Sequence, residues 1–300
     1  MIDCDLMIVE ESIMRVIFSS IFIHVFLLYP LLAFATSDPS LPDALMYRGK
    51  PLDPLCLFQI EDTKGVVKLN QCGLSSDKKP MILGKNNQLI SKGFFGYDYS
   101  LKLNDAKSIS GYSYYKALGN VGHSAIVQTI NNSGGTGTFS FLNLVKRYGN
   151  TLKISVLNGG DRCNGGLVDM RREGKGASEH LVYSVRLTAF DFLPLANDNP
   201  YKVNAYDDLA SCAICCAGVA VFQRHIGTNF KHEKLLYVDV SDHVNDLDHS
   251  ASQPKYQGCF DKLLKEYASK NNGKLDAKQL SRFTHQFNTQ CVHNKLAFEF

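Results

Sequence analysis

The chain has no tryptophan, so the largest aromatic platform for stacking on a ligand is missing and a glycan-binding reading is weakened. It has no arginine-rich or lysine-rich tract. Arg171, Arg172, Lys175, Lys231 and Lys234 are scattered, which excludes a nucleic-acid footprint. Apart from one segment near the start, no apolar run is long enough to cross a bilayer. Internal repeats and low-complexity tracts are absent.

Complete catalytic motifs are also missing. Gly122-His123-Ser124-Ala125-Ile126 begins like a nucleophile elbow, but Ile126 stands where the closing glycine belongs. His232-Glu233 begins a zinc-protease helix motif, but Leu236 stands where the second histidine belongs. Cys212-Ala213-Ile214-Cys215 has no second C-x-x-C to complete a zinc set. Alanine rather than histidine follows Cys216, which excludes covalent haem attachment. Nothing calls for a cofactor.

The exceptional apolar segment runs from Met14 to Ala35, MRVIFSSIFIHVFLLYPLLAFA. Arg15 supplies a basic start, Val16 to Phe34 the apolar stretch, and Ala33-Phe34-Ala35 the small-x-small pattern of a cleavage site. Asp3, Asp5, Glu10 and Glu11 carry the wrong charge for a signal's leading segment, so Met14 is the expected true start. Residues 1–35 therefore read as a signal peptide, with the mature chain beginning near Thr36. This predicts a secreted or periplasmic protein with no stable membrane span after cleavage. Removing residues 1–35 takes away one of 32 basic and four of 29 acidic residues, which leaves a modest net charge of +6. The expected partner is an envelope or extracellular protein or a glycan.

Export sets the reading of the cysteines, because disulfides persist in oxidising compartments. Cys4 falls within the leader, leaving Cys56, Cys72, Cys163, Cys212, Cys215, Cys216, Cys259 and Cys291. Cys56 and Cys72 flank two alternating runs around Thr63-Lys64-Gly65, so their bridge is expected to close a hairpin. Cys259 and Cys291 lie at the open ends of a predicted helical hairpin and form a second pair. Cys163 then pairs with Cys212, Cys215 or Cys216, the choice left open. Around these, Ala213-Ile214 and Ala217 to Phe222 read as a buried strand.

Residues 36–55 hold four of the nine prolines, Pro39, Pro42, Pro51 and Pro54, and read as an extended lead-in. Residues 36–120 are expected to form an N-terminal β-hairpin and loop region, with short strands over 80–103 and a short helix or loop over 104–118. Residues 121–250 carry the main antiparallel β region. There GTFSFLNLVKR and TLKISVLN flank a Tyr148-Gly149-Asn150 turn, and HLVYSVRLTAFDFL and LLYVDVSD repeat the alternation. Residues 251–300 show helical spacing over Tyr256 to Lys270 and Asp276 to Asn294, joined by Asn271-Asn272-Gly273. Asp276 with Gln279 forms a capping-box pattern. The expected class is α+β: an antiparallel β-rich sandwich or bent sheet with a C-terminal antiparallel helical hairpin. That hairpin resembles an EF-hand in outline, but Ala268, Lys270 and Gln279 at the ligand positions exclude a calcium site.

Three clusters are candidates for function. Asn158-Gly159-Gly160-Asp161-Arg162-Cys163-Asn164-Gly165-Gly166 can form an anion-binding nest assisted by Arg162, or a pair of tight turns in which Asp161 pairs with Arg162. Tyr97, Tyr99, Tyr112, Tyr114 and Tyr115 concentrate aromatic surface, and Tyr112 and Tyr114 are the candidate ligand contacts. His225, His232, His243 and His249, with Asp239, Asp242 and Asp246, supply the ligand types of a divalent-metal site and support an alternative reading as a metal-dependent hydrolase. Asn131-Asn132-Ser133 is a glycosylation sequon in an expected loop. The leading reading is a disulfide-stabilised binding protein.

Overall fold

The computed structural model describes residues 41–58, 65–72, 81–83, 86–104, 107–196, 202–227, 230, 232–242 and 254–293. The leader at 1–35 lies outside them. The described residues belong to a single compact unit.

The chain enters through a 3-10 turn at Asp43–Leu45, the strands β1 (Met46–Tyr47) and β2 (Lys50–Pro51), and a short helix α1 (Pro54–Phe58). Strand β3 (Val66–Lys68), β4 (Met81–Leu83), a one-turn helix α2 (Asn87–Ser91), β5 (Phe95–Asn104), β6 (Lys107–Val121), β7 (Ser124–Asn132), β8 (Phe139–Tyr148) and β9 (Thr151–Asp161) follow. They build a seven-stranded antiparallel sheet in the order β3-β9-β8-β7-β6-β5-β4. A second, five-stranded antiparallel sheet runs in chain order through β10 (Leu167–Glu173), β11 (His180–Leu187), β12 (Gly218–His225), β13 (Glu233–Asp239) and β14 (Lys274–Leu275). Helix α3 (Phe192–Leu195) follows β11, and helices α4 (Gln257–Lys270) and α5 (Ala277–Phe287) flank β14. The expected α+β class, antiparallel and β-rich with a C-terminal helix pair, is thus the observed one, and the large sheet is curled into a half-barrel.

The curl has local causes. Register shifts in β6 between Ala117 and Gly119, and in the β8–β9 pairing at Leu142/Asn143, are bulges that increase strand twist. Three glycines sit directly opposite aromatics: Gly96 against Tyr114, Gly111 against Tyr99, and Gly159 against Phe141. A Cβ at each would approach the facing ring within about 2.7 Å, so the rings cover bare backbone where the strands bend.

Alternating side chains divide the large sheet into two faces. Ala125, Val127, Val145, Leu152 and Ile154 pack under the entering segment against Leu45, Leu52, Leu57 and Leu69. On the opposite face Ile126 and Leu142 join the main core with the inner face of the small sheet and the helices. There the ring centroids of Phe260 and Phe283 lie 5.1 Å apart, and Phe192 and Phe287 complete the aromatic centre. The capping box at Asp276 and Gln279 forms as expected, with both reciprocal hydrogen bonds at 2.7 Å.

Several expectations are corrected. The segment 104–118, read as a short helix or loop, belongs mostly to the 15-residue strand β6, because partners on both sides outweigh its Gly and Ser content. Cys56 lies in helix α1 rather than in a hairpin arm, and β3 pairs with β9. Ala213 and Ile214 lie in a turn before β12, and Ile214 is 76% exposed. The sheet runs through residue 120, so segments 36–120 and 121–250 share it. The sequon asparagine Asn131 is inside β7 and buried, not in a loop.

Candidate functional site

The glycine-rich segment and the tyrosine segment meet at one end of the large sheet. Asp161 closes β9 opposite Phe139, and its carboxylate accepts the Thr138 amide at 2.7 Å. Arg162 adopts a left-handed backbone (φ 45°), which turns its guanidinium back onto Asp161 at 3.1 and 3.3 Å. Its own amide donates to the Thr138 carbonyl. From β6, the Tyr112 hydroxyl lies 3.4 Å from Thr138 Oγ1. Tyr112, Asp161 and Arg162 therefore surround Thr138, a residue that no sequence signal marked. The Asp161–Arg162 pair is partly open to solvent, with side-chain exposures of 18% and 30%.

Tyr114 takes a different role. It is buried, donates to Asp98 at 2.8 Å and accepts the Asn86 amide at 3.0 Å, tying β6 to β5 and to the cap of α2. Tyr97 and Tyr115 face the entering segment. Tyr97 donates to Asp53 at 2.6 Å, and Tyr115 to the Leu52 carbonyl at 3.3 Å. Burial raises both phenols well above their usual range, and the hydrogen bond to Asp53 adds to the effect at Tyr97.

The amides of the glycine-rich loop are taken up by backbone carbonyls of the loop and of its neighbours. Those of Arg162, Cys163, Asn164, Gly165 and Gly166 donate to the carbonyls of Thr138, Ala213, Asp161, Arg186 and Arg162. A Cβ at Gly160 would collide with Asn164, and one at Gly166 with Arg162, so these glycines allow backbone to close on backbone. The turns also present Cys163, which bridges to Cys216. The other bridges are Cys56–Cys72, Cys212–Cys215 and Cys259–Cys291.

Two strands from Asp161 in register, beyond the half-buried Phe139, the large sheet carries buried polar residues that sequence reasoning missed. Ser113 of β6 faces Asn131 of β7, with Thr129 and Asn143 also buried in β7 and β8. Asn143 donates to Thr129 at 3.1 Å. The Oδ1 atoms of Asn131 and Asn143 find no partner among the described residues. Only the strand register brings these residues together: Asn131 alternates in phase with Val127 and Asn143 with Val145, so their positions read as core while their amides read as surface.

The small sheet's outer face holds a cavity of about 240 Å³, lined by residues that include Arg171, Ser184, Val221, Tyr237, Asp239 and Asp242. Here Arg171 pairs with Glu173 at 2.6 Å, and Asp239 accepts from the Ser241 amide at 3.0 Å. The histidine candidates do not converge in the described part of the chain. His225 approaches the Ala177 carbonyl at 2.6 Å and meets the His180 ring at 5.3 Å, while His232 is exposed. His243, His249 and Asp246 lie outside the described residues. Among the described residues no group of three His, Cys, Asp or Glu side chains is placed to hold a metal.

These features define an antiparallel α+β protein stapled by four disulfides, and no described helix is long and apolar enough to cross a membrane. No family model, curated protein or solved structure matches the chain.

Proposed function

We propose that the protein is an exported binding protein, secreted or periplasmic, whose ligand-contacting surface is the corner formed by Tyr112, Thr138, Asp161 and Arg162. The observation that carries this reading is the meeting of segments some fifty residues apart around Thr138, with the Asp161–Arg162 pair left partly open. The pair holds the guanidinium in one orientation before a ligand arrives, which lowers the ordering cost of binding. Tyr112 adds an amphipathic ring beside it. The Tyr114 ring lies 6.2 Å from that of Tyr112, and its hydroxyl donates to Asp98. Four bridges suit an extracytoplasmic setting, and the leader at 1–35 supplies the route. The ligand class is an envelope or extracellular protein or a glycan.

The test uses the purified full chain against immobilised extracellular proteins and polysaccharides. Arg162→Ala is expected to weaken the captured interaction at least about tenfold, as loss of a partly buried arginine anchor does. Far-UV circular dichroism should stay unchanged. Capture that is indifferent to both Arg162→Ala and Tyr112→Ala would overturn the assignment of this corner.

A further inference from the structure

The four disulfides differ in what they hold. In three of them at least one cysteine is buried: Cys72 at 0%, Cys163 at 6% and Cys291 at 2% exposure. Neither Cys212 nor Cys215 is buried. Their bridge spans a sequence separation of 3, against 16, 32 and 53 for the others. Restriction of the unfolded chain grows with loop length, so this bridge contributes least to folding.

The turn is also held without it. The Cys215 amide donates to the Cys212 carbonyl at 3.0 Å, and the Cys163 amide to the Ala213 carbonyl at 3.2 Å. On one side the adjoining Cys216 is anchored to Cys163, and buried Ala217 donates to the Leu187 carbonyl at 2.8 Å. On the other side Ser211 and Leu209 are buried. Opening the Cys212–Cys215 bond therefore releases a surface turn and leaves the sheet intact. Ile214, between the two cysteines, projects an apolar side chain at 76% exposure beside the reactive sulfurs.

We infer that Cys212–Cys215 is a thiol–disulfide exchange site whose substrate is a dithiol on another protein, met across Ile214. The incoming thiolate attacks one sulfur of the bridge. A mixed disulfide forms as the Cys212–Cys215 bond breaks, and the displaced sulfur leaves as a thiolate that takes up a proton. The partner's second thiol, as its thiolate, then attacks the partner's own sulfur in the mixed disulfide and expels the remaining cysteine of the pair as a thiolate, which takes up a proton. The partner loses two electrons and becomes a disulfide, and Cys212 and Cys215 become two thiols. The bridge itself is the oxidant. Accessible disulfides that hold little structure are the labile ones, and the four-residue spacing lets the thiols close again within a single turn.

The experiment is graded reduction of the native full chain with dithiothreitol, followed by alkylation and peptide mapping. Cys212 and Cys215 should label together at a reductant concentration at least about tenfold below that needed for the other six, a separation of about 30 mV in potential. Near-UV circular dichroism should be retained at that point. A parallel incubation with glutathione should place one adduct on Cys212 or Cys215. The variant carrying Cys212→Ser and Cys215→Ser should fold, with Tm lowered by less than about 4 °C, and should take up no glutathione. Labelling of all eight cysteines together, first labelling at Cys163 or Cys216, absence of the glutathione adduct, or collapse of the double variant would each overturn the inference.

Discussion

Single side chains in this protein are set by what encloses them. Arg224, in β12, is almost fully enclosed yet donates to the Tyr183 hydroxyl, the Phe230 carbonyl and Glu233, the last at 2.7 Å. Burial lowers its affinity for a proton and raises that of Glu233, and their contact offsets the cost of enclosing both charges. Tyr97 and Tyr115 lead to a pH prediction. Their folded pKa values lie above the ordinary value of 10.0, so the folded state holds these protons more tightly than the unfolded chain does. Their contribution to stability is fully present below pH 10 and declines as pH rises above it. Urea unfolding midpoints should therefore fall between about pH 10 and pH 11.5, and Tyr97→Phe should make that fall shallower. Tyrosinate absorbance at 295 nm should show these two phenols ionising only with unfolding. Ionisation of every tyrosine near pH 10 in the folded protein would contradict this.

At the scale of elements, the helix pair was the most legible part of the chain. Phe260, Leu263, Leu264, Phe283 and Phe287 fall at helical spacing, and all are buried in the main core. Asp276 caps α5 by accepting the Gln279 amide, and the Gln279 side-chain oxygen in turn accepts the Asp276 amide. Asp276→Ala should cost about 1 kcal/mol in urea denaturation. Asp276→Asn, which can still accept the amide, should cost less, and equal losses would argue against the cap. Between the helices, Asn272 and Gly273 take positive φ values of 50° and 70°, which the turn requires. The two residues that follow then add an edge strand to β13. Lys274 and Leu275 carry no strand signal by themselves; only the open edge of the small sheet makes them one.

For the whole molecule, size and cross-links act together. The core is large enough to fold without staples, so the bridges add to stability rather than create it. Cys259–Cys291 closes a sequence separation of 32 across the helix pair. Replacing both by serine should lower stability by about 3–4 kcal/mol in urea unfolding while leaving helix content in place. A loss below about 1 kcal/mol would show that aromatic packing alone holds the pair.

The sequence by itself determined the antiparallel alternation, the turn between β8 and β9, the helix pair with its cap, and the bridges Cys56–Cys72 and Cys259–Cys291. Each of these rests on local chemistry: periodicity, turn residues, or cysteines brought together by neighbouring elements. Tertiary structure decided what local chemistry leaves open. Cys163 found Cys216 because β11 and β12 bring the glycine-rich loop beside the C-x-x-C turn, a choice three partners left undetermined. β6 became a long strand because partners on both sides satisfied its backbone. Tyr112, Thr138, Asp161 and Arg162 met only because the strands of the large sheet stagger their ends together, and the buried polar residues that include Asn131 and Asn143 come together only in register. Pairings across fifty residues depend on which surfaces can be buried together, and no local stretch of sequence carries that information.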